Sequence, residues 1–82
     1  MMHKILIVED TREIREEICD ILIMEGYNVS QAENGSIGFE MALKENPDLI
    51  ISDILMPELN GFEMFQKLKK HKETLGIPLI FL

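Results

Sequence analysis

The chain has 82 residues, which allows one domain at most, since domains typically run to roughly 100–150 residues. Eight Lys and Arg against fifteen Asp and Glu leave a formal charge of −7, which argues against nonspecific attachment to nucleic acid or anionic lipid, where a basic face supplies the attraction. Apolar residues at 46% are enough for a core, and a lone Cys19 excludes both an intramolecular disulfide framework and a multi-cysteine zinc site.

Strand-like and helix-like segments alternate along the chain. Ile5-Leu6-Ile7-Val8 is a short, β-branched apolar run that reads as a strand buried on both faces. Helical spacing follows, with Ile14, Ile18, Ile21 and Leu22 as the expected inner stripe, Thr11 as its cap and Gly26 at its C-terminal end. Tyr27 to Ala32 is a weaker strand anchored by Val29. Asn34-Gly35-Ser36 starts a second helix that runs to about Glu45, with Ile37, Met41 and Ala42 inward and Pro47 beyond its end. Gly38 sits in its middle, where glycine costs about 1 kcal/mol against alanine.

Asp48 to Ser52 is a third strand, Asp53 to Gly61 a loop, and Phe62 to Lys70 a third helix with Phe62, Phe65 and Leu68 inward. Ile77 to Leu82 begins a fourth strand. This alternation is the signature of a parallel α/β sheet with right-handed crossovers. No apolar run approaches the roughly 20 residues of a membrane span, and the stretch after Lys4 is too short for a signal peptide. A soluble domain of a reducing, cytoplasmic compartment is expected, with no membrane association.

In open parallel sheets, ligands bind beyond the carboxyl ends of the strands, where the winding reverses. Glu9-Asp10 closes the first strand and Asp53 the third. In the doubly wound order 2-1-3-4 those strands are neighbours, so the three carboxylates meet at one crevice. Charges brought within ~4 Å repel by about 4 kcal/mol per pair at an effective dielectric near 20, unless protons or a cation neutralise them. Oxygen ligands with open water positions suit Mg²⁺. A hard cation beside a spare carboxylate is also what phosphoryl transfer to that carboxylate requires. The competing reading is three solvated loop acids near helix N-termini, favoured there by the macrodipole.

The stretch Asp53-Ile54-Leu55-Met56-Pro57-Glu58-Leu59-Asn60-Gly61 resembles the D-x-x-M-P-x-x-x-G segment of response-regulator receiver domains. Ile5 to Asp10 is similar to their first strand and acidic pair, and Asn34-Gly35, Pro47-Asp48-Leu49 and Ile77-Pro78 fall at the family's positions between. The resemblance implies a flavodoxin-like doubly wound parallel sheet, of order 2-1-3-4 over the strands present. It implies Asp53 as phosphoacceptor, and Mg²⁺ held by Asp10 directly, Glu9 through water, Asp53, and the backbone carbonyl of Leu55. Pro57 is expected to stiffen the loop that aims this carbonyl, and Gly61 to permit a tight turn into the third helix. The phosphodonor implied is a phosphohistidine on a sensor histidine kinase or phosphotransfer protein, with residues between Ile14 and Ile23 among those such partners contact. Slow self-hydrolysis resets such a site, so the domain is expected to be a signalling acceptor and not an enzyme.

Receiver domains have five strands and five helices, with a Ser/Thr ending the fourth strand and a Lys ending the fifth. Leu82 stands just before the hydroxyl position, so residues 1–82 are expected to be the N-terminal two-thirds of a single receiver domain, without the fifth strand and last two helices. An alternative is a fragment that acts only as a protein-interaction or dimerisation module. A chain of this length is expected to self-associate through its exposed fourth strand or to be marginally folded. A haloacid-dehalogenase-type phosphohydrolase needs D-x-D after the first strand, and a flavin binder needs a Ser/Thr/Gly-rich loop there; Glu9-Asp10-Thr11 matches neither. Lys67 to Lys72 reads as a solvated helix end, His3 and His71 lack ligand partners, and Cys19 reads as a packing residue.

Overall fold

A computed structural model of the chain describes residues 3–82. Its elements are β1 (Lys4–Val8), α1 (Arg12–Met24), β2 (Asn28–Ala32), α2 (Gly35–Glu45), β3 (Leu49–Ser52), α3 (Gly61–Lys69) and β4 (Leu79–Phe81). The strands form one sheet of order β2-β1-β3-β4, with every neighbouring pair parallel. Element bounds differ from the sequence reading by two residues or fewer at the strands, as expected where ends fray.

β1 is the centre of the construction. Ile5, Leu6, Ile7 and Val8 are all buried, because the strand has a neighbour on each edge and a layer on each face. Alternate side chains serve different cores. Leu6 and Val8 join Ile50, Phe39, Ala42, Met64 and Leu68 beneath α2 and α3. Ile5 and Ile7 join Cys19 beneath α1, with Ile18, Leu22, Val29, Leu49 and Ile51 packed around them.

The helices bury faces that differ from those expected. In α1, Cys19 is fully buried and Arg15, Ile18 and Leu22 are partly buried, whereas Ile14 and Ile21 are exposed. In α2 the buried set is Gly35, Gly38, Phe39 and Ala42; Met41 is partly buried and Ile37 exposed. In α3 it is Gly61, Met64 and Leu68 with Phe65 half-buried, while Phe62 is 54% exposed. Each observed face keeps the spacing i, i+3, i+4, i+7, but each begins on a residue that an apolar count passes over: Arg15, Gly35 and Gly61. Glycines at the first contact let α2 and α3 approach closely. A Cβ on Gly38 would lie 2.9 Å from Val8 Cγ2 on β1 and 3.0 Å from Met64 Sδ on α3, so the glycine permits close contact with both sheet and helix.

Local chemistry sets the ends. Gly26 follows α1 with φ +95°, a left-handed conformation that favours glycine. Asn34 caps α2 by accepting from the Ile37 N–H at 2.8 Å. Asn60 and Glu63 form a reciprocal capping box at α3. Thr11 occupies the N-cap position of α1, but its side chain makes no capping hydrogen bond. The basic segment that ends α3 is partly engaged: Lys67 Nζ lies 4.3 Å from the Phe39 ring centroid, and Lys69 Nζ donates to the Leu75 carbonyl at 2.7 Å. No described helix is long and apolar enough to cross a membrane.

Candidate functional site

The carboxyl ends of β1 and β3 lie side by side, because Val8 pairs with Ser52 in register. One residue further, the Asp53 N–H donates to the Val8 carbonyl at 3.0 Å, and the Glu9 N–H donates to the Ala32 carbonyl at 3.1 Å. The ladder therefore runs to the last residue before each acid and delivers Glu9, Asp10 and Asp53 to a single point. Their carboxylate oxygens can all lie within 4.8 Å of one another. Asp10 is exposed, Asp53 partly buried and Glu9 only 3% exposed.

Glu9 turns inward because its polar groups have partners there. Oε2 accepts from the Thr11 N–H at 2.9 Å, and its backbone carbonyl accepts from Arg15 Nη1 at 2.8 Å. Its pKa is raised above the ordinary carboxylate value, first by burial, then by a hydrogen bond with Asp10 and repulsion from Asp53 and Asp10, with the Thr11 N–H opposing. An acid pushed toward its neutral form beside two others is a group that a cation would return to its charge.

Asp53 is held from both sides of its own backbone. Its Oδ1 accepts from the Ile54 N–H at 2.8 Å, and its carbonyl accepts from Ser52 Oγ at 2.8 Å. Among the described residues no protein group donates to Oδ2. The Gly61 N–H closes the loop onto the Ile54 carbonyl at 2.8 Å. Gly61 does not have a positive φ; its requirement is space, since a Cβ there would run into the Asp53 carbonyl oxygen. This corrects the expected reason for that glycine. The left-handed turn falls on Glu58 at φ 68°, while the buried Met56 anchors the loop in the core. The Leu55 side chain is 80% exposed, and no hydrogen bond is made to its carbonyl among the described residues.

Three carboxylates form a hard-oxygen donor set, of the kind that binds Mg²⁺ while leaving positions for water. Among the described residues neither His3 nor His71 joins this cluster. Arg15 and Gln31, which brace it, escaped the sequence reading; the signal available was Arg15 at helical spacing from Ile18, Cys19 and Leu22.

The family model described as "Response regulator receiver domain" matches residues 5–82. The chain belongs to the response regulator receiver domain family. Among curated proteins, this receiver domain is 45% identical to "Probable transcriptional regulator ycf29" of Pyropia yezoensis over 82 residues, all of this chain and 37% of that protein. It is 42% identical to "Protein PilH" of Pseudomonas aeruginosa over 79 residues, 96% of this chain and 65% of PilH. Among solved structures it superposes on chemotaxis response regulator CheY4 of Vibrio cholerae with a TM-score of 0.94 at 32% identity, covering 99% of this chain and 68% of that one. The receiver chain thus spans less than two-thirds of the length of these curated relatives. The parallel order β2-β1-β3-β4 is the one expected of the family, and neither a dehalogenase nor a flavin binder is needed to explain it.

Proposed function

We propose that this receiver domain of a two-component system accepts a phosphoryl group on Asp53 from a phosphohistidine of a sensor histidine kinase or phosphotransfer protein, with Mg²⁺ as cofactor. The observation that carries the reading is the convergence of Glu9, Asp10 and Asp53 within 4.8 Å at the ends of two adjacent strands. Asp10 and Asp53 would hold the cation directly, Glu9 through water, and the Leu55 carbonyl would complete the protein ligands. When bound, the cation supplies countercharge for the incoming phosphoryl oxygens.

The remaining chemistry belongs to the chain. A carboxylate oxygen of Asp53 forms a bond to phosphorus as the phosphorus–nitrogen bond to the donor imidazole breaks, and the imidazole leaves with the electron pair and takes up a proton. The Ile54 N–H fixes Oδ1, so that the carboxylate is oriented before the donor arrives. The product is an acyl phosphate, which water hydrolyses slowly, so the domain is an acceptor and not an enzyme in its own right. A charge of −7 fits a segment that does not itself bind nucleic acid, and the lone buried Cys19 fits a cytoplasmic setting.

A small-molecule phosphodonor with Mg²⁺ is expected to add one phosphoryl group to Asp53, located by mass spectrometry of peptides. Asp53→Asn abolishes it. Label that persists elsewhere in that variant overturns the assignment. A second reading, an interaction or dimerisation module, draws on β4, which among the described residues pairs only with β3 and leaves Ile80 53% exposed.

A further inference from the structure

We propose that Arg15 is a positioning residue for the metal-binding turn: its guanidinium fixes the Glu9–Asp10 peptide and so sets the affinity for the divalent cation. The inference rests on the reading of Glu9 and Asp10 as cation ligands. Arg15 opens the buried face of α1, which points its side chain at the ends of β1 and β2. Nη1 donates to the Glu9 carbonyl at 2.8 Å and Nε to Gln31 Oε1 at 3.1 Å. Gln31 lies on β2 in register with Ile7. One planar guanidinium therefore joins a helix, the turn after β1 and the next strand, with two bonds in a fixed relation that an ammonium cannot reproduce.

The consequence is that Glu9 is held at its N–H by Ala32, at Oε2 by Thr11 and at its carbonyl by Arg15. That carbonyl shares a rigid plane with the nitrogen of Asp10. The Arg15 bond therefore orients the Asp10 backbone from outside, through the peptide that joins it to Glu9.

Among the described residues Arg15 forms no ion pair with a carboxylate, although three acids gather at this strand end; its donors go to neutral oxygens. Two effects of opposite sign can thus be separated. As a nearby cation, Arg15 repels a divalent ion, so charge alone predicts tighter binding when it is removed. As a clamp it holds the ligands in place, and its removal loosens binding. The directed bond to the turn favours the clamp, since outer partners of metal ligands commonly change affinity about 10–100-fold.

The test is the Mg²⁺ dissociation constant of the full-length protein by titration calorimetry, with the metal-free melting temperature measured alongside. Arg15→Met, which keeps an apolar stem and removes the fork, is expected to weaken binding about tenfold with little change in melting temperature. Arg15→Lys recovers part of that loss, and Gln31→Ala, which removes only the second seat of the guanidinium, weakens binding about twofold to threefold. Unchanged or tighter binding in folded Arg15→Met overturns the inference. Should that variant not fold, wild-type affinity in both Arg15→Lys and Gln31→Ala overturns it instead. Absence of Mg²⁺ binding by the wild-type protein removes the proposed function, and the inference with it.

Discussion

Replacing Gly61 by alanine puts a methyl group where the Asp53 carbonyl oxygen already lies, with Ile54 Cα and Phe81 Cε1 each 3.0 Å away. Two of these three neighbours are backbone atoms, which cannot rotate aside. The strain is relieved only by separating Gly61 from the Asp53–Ile54 segment, and that stretches the 2.8 Å hydrogen bond from the Gly61 N–H to the Ile54 carbonyl. Overpacking costs about 1–3 kcal/mol and the lost hydrogen bond about 0.5–1.5 kcal/mol. The gain in helix propensity offsets at most about 1 kcal/mol. The net expectation is a loss of about 2 kcal/mol, or roughly 10 °C in melting temperature for a domain of this size. Because the displaced atoms carry Asp53, Mg²⁺ affinity falls as well. Gly76 is the internal comparison: a Cβ there meets nothing within 4 Å and the backbone is not left-handed, so Gly76→Ala is expected to be neutral or to stabilise by up to about 1 kcal/mol. Urea denaturation with a Mg²⁺ titration reads both effects. A Gly61→Ala protein within about 0.5 kcal/mol of wild type, with unchanged Mg²⁺ affinity, would refute the steric argument.

Asp10→Asn is expected to weaken Mg²⁺ binding more than Glu9→Gln, because the contact proposed for Asp10 is direct and that proposed for Glu9 passes through water; equal or reversed effects in the titration contradict that division. In the metal-free protein, burial raises the Glu9 pKa above the ordinary 4.5, so the folded state holds that proton more tightly than the unfolded state does. Its contribution to stability is therefore largest below 4.5 and declines as pH rises through the raised folded value. Urea midpoints across that range should show the decline, and Glu9→Gln should remove it. A polypeptide of these 82 residues is expected to self-associate, with Ile80→Lys reducing the sedimentation coefficient toward that of a monomer. A monodisperse wild-type monomer with a sharp unfolding transition would discard that surface.

The acids at the strand ends were legible because the topology left no other place for them. The apolar runs at Ile5–Val8 and Leu49–Ser52 read as buried strands, and the doubly wound order 2-1-3-4 makes them neighbours, so the residues just after them share a crevice. The helix faces were not legible in the same way. An apolar count selects Ile14, Ile21, Ile37 and Phe62, all of which are exposed, and passes over Arg15, Gly35 and Gly61. Glycine is buried for what it lacks, and arginine for where its far end bonds; neither registers on a hydropathy scale. The same gap hid the bracing of the site, since a guanidinium bonded to a main-chain carbonyl has no signature in residue type. Gly61 was recognised as necessary, but for a turn that Glu58 makes instead.

The sheet separates two cores of unequal size. Among the described residues ten buried apolar side chains gather under α2 and α3, and three gather under α1, one of them the small thiol of Cys19. Local opening free energy follows buried apolar contact, so in this chain the amides of α1 should exchange with deuterated solvent well before those of β1 and α2. Arg15 is carried by that less securely fastened helix. Transient detachment of α1 would withdraw the guanidinium from the Glu9 carbonyl while the strands stay paired, and make the acidic turn the first part of the site to fluctuate.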